Sequence, residues 1–167
     1  MLQAITKLNL ACGKDYREGF LNVDNQSMNS GKVDLVADVF TFDTVPNSVD
    51  EILLSHFMMY IDTFEAPVLF ARWYKWLRPG GIIVIETGDL KKVARTILGS
   101  TKPNIINGTN GVMQLFGWSN TKGHKWAWCE ETLADVLKNA GFSVKVVMDG
   151  GFHNRPDRDL TIIAEKI

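Results

Sequence analysis

The N-terminal part of the chain places small and acidic residues at the ends of two short apolar segments. Residues 7–10 run into a loop of small residues at 11–13, and residues 21–24 end at Asp24. This spacing predicts a buried strand, a tight loop, and a second strand whose carboxylate lies beside the loop. The arrangement is typical of α/β sheets that bind the adenosine part of a cofactor, because small residues let a ligand approach the backbone and the acid accepts hydrogen bonds from ribose hydroxyls.

Two further apolar segments also end in residues that could do chemistry. Residues 33–38 close on Asp38, and residues 49–55 end at Ser55 and lead directly into His56. A histidine is a candidate general base for an oxygen or nitrogen nucleophile, since its unperturbed pKa lies at about 6.5. The same position also suits a packing residue or one that orients a substrate, so the sequence leaves these roles of His56 open.

The composition is that of a globular protein. The chain has 167 residues, 46% of them hydrophobic, which suits one domain with a substantial core. The formal net charge of -1, without a basic stripe, argues against nucleic acid as the main electrostatic partner, although it does not exclude a tRNA or nucleotide substrate. Two distant cysteines match no zinc spacing and suit free thiols in a reducing compartment. With no leader or membrane-spanning segment apparent, we expect a soluble, cytoplasmic protein.

The elements that must position these residues alternate between strands and helices. A capping box of Asp62 and Glu65 predicts a helix over residues 63–77, and a β-branched run predicts a strand over 82–86. Further helices are expected over 89–98 and 130–140. The last two strands, 143–148 and 159–165, are joined by about ten residues, which is too short for a parallel crossover and therefore predicts an antiparallel hairpin.

One stretch is different in kind. Residues 100–125 are rich in Asn, Gly and Thr with interleaved apolar side chains. Loops of this length inside a compact domain are usually functional or disordered. We therefore expect a lid or substrate segment at about residues 100–128.

Taken in order, these motifs resemble those of the class I S-adenosylmethionine-dependent methyltransferases, in particular the small type 11-like domains. The resemblance rests on Leu-Asn-Leu-Ala-Cys-Gly at residues 8–13, Asn-Val-Asp at 22–24, and Leu-Arg-Pro-Gly-Gly at 77–81. It implies an α/β, Rossmann-like fold with a seven-stranded, mostly parallel sheet, helices on both faces and an antiparallel last strand. A single domain, residues 1–167, is expected to carry this fold.

The resemblance also implies which residues contact the cofactor. The small loop would pass beneath the methionine part, Asp24 would hold the ribose, and Asp38 would accept from the adenine amine. The full predicted set is Asn9, Ala11, Cys12, Gly13, Asp24, Asn25, Asp38, Val39 and Ser55. Three alternatives stay open: an ordinary strand-to-loop turn at 11–13, a helix cap or solvated acid at Asp24, and a turn acid at Asp38. Ala11 departs from the family, which usually has glycine there.

Catalytic and substrate roles rest on fewer residues. His56 is the predicted base, and Tyr60, His124 and Trp126 are predicted to line the substrate pocket. For His124 and Trp126, structural anchoring of the loop stays open as the alternative. Many relatives have a His-x-x-Glu-His pattern where this chain reads His-Phe-Met-Met-Tyr at residues 56–60. Because the acid and the second histidine are missing from that stretch, no metal site is predicted. His153 receives no role from the sequence.

The predicted reaction is transfer of a methyl group from S-adenosylmethionine to an oxygen or nitrogen of a small or medium polar substrate, with S-adenosylhomocysteine as product. The main alternative is a non-catalytic cofactor-binding or interaction module on the same fold. A nicotinamide dehydrogenase is disfavoured, because the loop lacks the Gly-x-Gly-x-x-Gly pattern and Asp24 follows it too soon. The sequence predicts a small-molecule partner, with no clear nucleic-acid surface and no membrane, and leaves the oligomeric state open.

Overall fold

The computed structural model describes residues 6–25, 32–99, 111–117 and 123–167. Seven strands lie in these ranges and form one sheet. They are β1 Lys7–Leu10, β2 Leu21–Asp24, β3 Leu35–Val36, β4 Val49–Ser55, β5 Leu77–Gly88, β6 Phe142–Asp149 and β7 Asp159–Lys166. Their order across the sheet is β3-β2-β1-β4-β5-β7-β6.

The first five strands pair with one another in parallel, and β7 is inserted antiparallel between β5 and β6. The hairpin predicted from the short last connection is therefore confirmed. Because β1, β2, β4 and β5 run in the same direction, their carboxyl ends meet at one edge of the sheet. The residues that follow these strands are the ones that the sequence singles out for chemistry.

The helices are unevenly distributed along the chain. Residues 11–20, between β1 and β2, contain no helix. Within the described ranges the α-helices are α1 Glu65–Trp76, α2 Leu90–Gly99, α3 Gly111–Phe116 and α4 Glu130–Asn139, and Met58–Tyr60 form a 3-10 turn. Three of these helices lie between β5 and β6, so most of the helical residues in the described ranges follow the fifth strand.

The start of α1 follows the predicted capping box. Glu65 Oε2 accepts from the backbone N of Asp62 at 3.1 Å, and Asp62 Oδ1 accepts from the backbone N of Glu65 at 2.9 Å. The two residues thus satisfy each other's orphan backbone donors. The helix buries Trp73 and Trp76 in the core, whereas Val68 is exposed.

Two further expectations need correction. The third apolar run forms a strand of only two residues, and Leu35 and Val36 are exposed because β3 is the edge strand of the sheet. The expected lid segment, 100–128, contains the short helix α3 where a loop was expected, while residues 100–110 and 118–122 lie outside the described part. Among the described residues, no helix has the length and apolar character needed to cross a bilayer.

Candidate functional site

The loop after β1 carries the small residues of the first motif. Ala11 and Gly13 both have left-handed backbone conformations, with φ values of 52° and 53°. The intervening Cys12 is tied down, since its backbone N donates to Val23 O at 3.1 Å. The chain therefore makes a tight bend at the carboxyl end of β1, in a conformation that suits glycine better than alanine at position 11.

Asp24 lies beside this bend. Its Oδ2 accepts a hydrogen bond from the backbone N of Gly13 at 2.9 Å, and the residue is only partly buried. A Cβ built on Gly13 would meet nothing within 4 Å, so the space above the bend is open. The carboxylate and the open bend stand where the sequence predicted a ribose acceptor and a close approach to the backbone.

The predicted contact residue Asn9 supports the bend from below. It is fully buried, and its Nδ2 donates to Asp15 O at 2.7 Å and to Asn22 Oδ1 at 2.9 Å. Asn22 extends the network by accepting from the backbone N of Arg17 at 2.8 Å. These amides hold the loop between β1 and β2 in place, so the visible role of Asn9 is to position the loop, and its contact with a cofactor stays a prediction.

Cys12 is a buried free thiol. Burial, with a smaller contribution from the nearby charge of Asp24, raises the pKa of the thiol to about 11. Cys12 is therefore protonated at neutral pH and acts as a small apolar residue of the loop rather than as a nucleophile.

The second group of predicted cofactor contacts follows β2 and β3. Asn25 and Asp38 are exposed and Val39 is buried. Asp38 Oδ1 accepts from the backbone N of Phe40 at 2.9 Å, and its carbonyl accepts from Thr41 N at 3.0 Å. Asp38 thus makes the turn that the sequence allowed as an alternative, and its predicted hydrogen bond to adenine stays a prediction.

The carboxyl end of β4 presents His56 in a constrained conformation. Its φ is 51°, and its backbone N donates to Glu86 O at 2.8 Å. The imidazole Nε2 lies 3.2 Å from Asp159 Oδ2 and 3.0 Å from Arg158 Nη2. A left-handed backbone is uncommon for histidine and is found mainly in turns and functional sites.

Asp159 is a buried carboxylate at the start of β7. Arg158 binds it through two nitrogens, Nε at 2.6 Å and Nη2 at 2.5 Å. Burial raises the pKa of Asp159, but hydrogen bonds from His56 and Arg158 outweigh it and leave the pKa below its usual value. Asp159 is therefore ionised at neutral pH and fixes both of its neighbours.

A second histidine and a second buried acid complete this end of the sheet. Glu86 on β5 has no exposed surface. Its Oε2 lies 2.9 Å from His153 Nδ1 and accepts from Ser55 Oγ at 3.0 Å, and its Oε1 accepts from His153 N at 3.0 Å. The rings of His56 and His153 meet edge to face with centroids 4.8 Å apart. We call His56, Glu86 and His153 the histidine cluster.

The sequence prediction missed most of this cluster. It sought an acid and a second histidine within a few residues of His56, whereas the fold supplies them from 30 and 97 positions further along the chain. The signal for Glu86 was available, since an acid closes the strongest β-branched run. His153 had no such signal, because only the hairpin of β6 and β7 brings it to Ser55 and Glu86.

A cavity of about 210 Å³ opens beside the cluster. Its walls bring together three predicted site residues, His56, Tyr60 and His124, and they also include Arg158 and Asp159. The rings of Tyr60 and His124 touch edge to face, with centroids 5.4 Å apart. Trp126, predicted to join them, instead lines a neighbouring space of about 20 Å³ together with Trp128.

His124 is held in the neutral state. Burial lowers its pKa, although Nδ1 lies 2.9 Å from the carbonyl oxygen of Gln114 and this contact opposes the shift. In the neutral ring Nδ1 then carries the proton and donates, which leaves Nε2 as an acceptor. The cavity wall therefore offers a hydrogen-bond acceptor at His124.

The bend and the cluster belong to one continuous surface. The guanidinium of Arg17, in the loop after the bend, stacks over the ring of Phe152 at 4.4 Å. Phe152 precedes His153 in the connection between β6 and β7. A ligand seated on the bend would thus have the histidine cluster as its neighbour.

Solved structures share the fold over 96% of the chain. One is an S-adenosylmethionine-dependent methyltransferase from Archaeoglobus fulgidus (19% identity, 85% of that chain covered, TM-score 0.63), and another is a methyltransferase from Mesorhizobium loti (16%, 90%, 0.64). This is the class I S-adenosylmethionine-dependent methyltransferase fold. No family profile and no curated protein matches the sequence.

A third similar structure shows what this methyltransferase fold can hold. It is the 1,6-didemethyltoxoflavin-N1-methyltransferase of Burkholderia thailandensis with bound 1,6-didemethyltoxoflavin and S-adenosylhomocysteine (16% identity, 70% of that chain covered, TM-score 0.64). At such identities the likeness establishes the fold of the present chain, and the substrate must be argued from its own residues.

Proposed function

We propose that the protein is an S-adenosylmethionine-dependent methyltransferase that acts on an oxygen or nitrogen of a small or medium polar substrate. The observation that carries the proposal is the pairing of Asp24 with the open bend at Gly13, at the edge of a methyltransferase fold. The similar enzyme from Burkholderia thailandensis supports it, since that protein was solved with the demethylated cofactor and a small heterocycle.

The residues at the bend fit the cofactor. A carboxylate at a strand end can accept from two vicinal hydroxyls, and charge-assisted hydrogen bonds are the stronger kind. The bend has space for a ligand above Gly13, and Cys12 keeps its volume small. Ser55 at the end of β4 and Asn25 directly after β2 are proposed as further contacts. The bound cofactor would supply an activated methyl group, so the protein needs mainly to align the acceptor and take up a proton.

The 210 Å³ cavity is the proposed acceptor site. Tyr60 and His124 form part of its wall and offer polar atoms that orient a substrate. His56 is the proposed base, because it lines the cavity at the carboxyl end of β4. Trp126 lies close to this cavity and is proposed to contact larger substrates.

The second candidate is a module that binds the cofactor or a partner without catalysis. The observation that favours it is Ala11, whose left-handed φ of 52° strains the bend where methyltransferases of this type usually have glycine. Strain there would weaken binding without abolishing it. The two candidates differ in turnover and agree on the fold.

Calorimetry tests the proposal in two stages. Titration with S-adenosylmethionine and S-adenosylhomocysteine is expected to show one binding site for each. Binding of neither would exclude the enzyme and the cofactor-binding module together. If they bind, transfer of labelled methyl across a panel of hydroxylated and amino metabolites separates the enzyme, which forms product, from the module, which does not.

A further inference from the structure

We propose that the histidine cluster is a binding site for a divalent transition-metal ion, with His56, Glu86 and His153 as its ligands. One ligand atom from each residue lies within 4.8 Å of the other two. Two imidazoles and one carboxylate suit Zn²⁺ and neighbouring ions such as Co²⁺, and catalytic zinc sites use this donor set with a position left open for water or substrate.

The spacing is that of a site close to its bound geometry. Tetrahedral Zn²⁺ at about 2.1 Å from each ligand holds neighbouring ligand atoms about 3.4 Å apart. Glu86 Oε2 and His153 Nδ1 lie 2.9 Å apart, and the three ligand atoms all lie within 4.8 Å of one another. A shift of about 1.4 Å in His56 or His153 would therefore bring the set to the tetrahedral spacing. His153 is able to make it, because its side chain is 42% exposed and lies in a connection between strands.

The connection is built to bring His153 against Glu86. A Cβ added to Gly151 would lie 2.8 Å from Glu86 Oε1 and 2.3 Å from Thr161 Oγ1. Only glycine therefore lets the backbone pass this close, and the passage allows His153 N to donate to Glu86 Oε1. Ser55 Oγ holds the other carboxylate oxygen. The acid is thus oriented by its surroundings, as metal-ligating carboxylates commonly are.

His56 has the outer partner that metal-ligating histidines usually have. Its Nε2 lies 3.2 Å from the buried Asp159 carboxylate. In the proposed site Nδ1 binds the ion and Nε2–H donates to Asp159, which fixes the tautomer. This requires that Arg158 Nη2, 3.0 Å from Nε2, direct its hydrogens to Asp159 and not to the imidazole. Arg158 pairs with Asp159 through two nitrogens, which leaves the charge of Glu86 to balance the cation.

The open position would face the 210 Å³ cavity, since His56 lines it. An ion there would polarise a substrate oxygen and lower its pKa, which takes over the task given to His56 as a base. The metal proposal does not rest on the proposed methyl transfer, because ion binding is measured in the absence of the cofactor. A negative result for metal binding would leave the methyltransferase proposal unaffected, and a negative result for methyl transfer would leave the metal proposal unaffected.

The experiment titrates untagged full-length protein with Zn²⁺ by calorimetry and with Co²⁺ by visible absorption, at pH 7.5. Wild type is expected to bind one equivalent. His153→Ala, on an exposed side chain, and the near-isosteric Glu86→Gln are each expected to weaken Zn²⁺ binding at least about tenfold. The matched control is Asp149→Asn, which removes a carboxylate that is 75% exposed and pairs with Lys92 outside the cluster, and which should leave the affinity unchanged.

Three results would overturn the proposal. They are no uptake by wild type up to about 1 mM Zn²⁺, an affinity that neither ligand substitution lowers, and an equal loss in Asp149→Asn. The His153 variant keeps the test decisive if Glu86→Gln fails to fold. Calorimetry with S-adenosylhomocysteine on the same samples reports separately on the cofactor site.

Discussion

The two ends of the proposed site are held together by different kinds of interaction. The bend at β1 and β2 is held by backbone groups and buried amides, and its residues lie within sixteen positions of one another, from Asn9 to Asp24. The end at β4, β5 and β7 is held by two fully buried carboxylates and their basic partners. A local arrangement can be recognised from neighbouring residues, whereas a charged cluster assembled from distant strands depends on the whole sheet.

This difference has an energetic consequence. Neutral amide networks contribute modestly per hydrogen bond, about 1 kcal/mol. Removing one partner from a buried ion pair leaves the other partner without compensation and costs more. The end with the histidine cluster should therefore dominate stability, and the bend should dominate cofactor affinity.

The largest effect is expected from Asp159→Asn. The substitution keeps the volume but removes the charge that Arg158 and His56 share, and we expect a loss of about 3 kcal/mol in the free energy of unfolding at pH 7. The measurement is denaturant unfolding. Asp149→Asn is the matched control, since that carboxylate is 75% exposed and pairs with Lys92 at 2.6 Å, and its loss should stay within about 0.5 kcal/mol. An equal loss of unfolding free energy in the two variants would show that the buried Asp159 contributes no more to stability than the exposed Asp149.

The next largest effect tests whether the bend, and not the histidine cluster, determines cofactor affinity. Asp24→Ala should weaken binding of S-adenosylhomocysteine by about 1.5–3 kcal/mol, as expected for losing hydrogen bonds to a charged group. His153→Ala serves as the opposite control, because it alters the cluster and leaves the bend intact. Calorimetry that finds Asp24→Ala unchanged would contradict the placement of the ribose.

Sequence reasoning recovered the parts of the molecule that depend on near neighbours. The strands at residues 7–10 and 21–24, the capping box of Asp62 and Glu65, and the antiparallel hairpin all follow from local patterns and connection lengths, and the structure confirms them. The bend at Gly13 beside Asp24 belongs to the same class.

The histidine cluster could not be found in this way. Ser55 and Glu86 meet because β4 and β5 pair in parallel register, and His153 joins them because β7 is inserted next to β5. Each relation needs the strand order, which no local pattern contains. The prediction for the third apolar run, which forms the short, exposed β3, was wrong for a related reason. Whether a strand lies at the edge of a sheet depends on which strands pair with it and not on its own apolar residues.

The smallest effect tests the strain at the bend. Ala11 has a φ of 52°, where alanine is disfavoured relative to glycine, so Ala11→Gly should stabilise the protein by about 0.5–1 kcal/mol despite the greater freedom of glycine in the unfolded chain. Ala71→Gly, at an exposed position of α1, is the control of opposite sign and should destabilise by about 1 kcal/mol. A destabilised Ala11→Gly would mean that the bend is relaxed. If Ala11→Gly is stabilised and also binds S-adenosylhomocysteine more tightly, the Ala11 methyl group is the cause of both the backbone strain and the weakened cofactor binding.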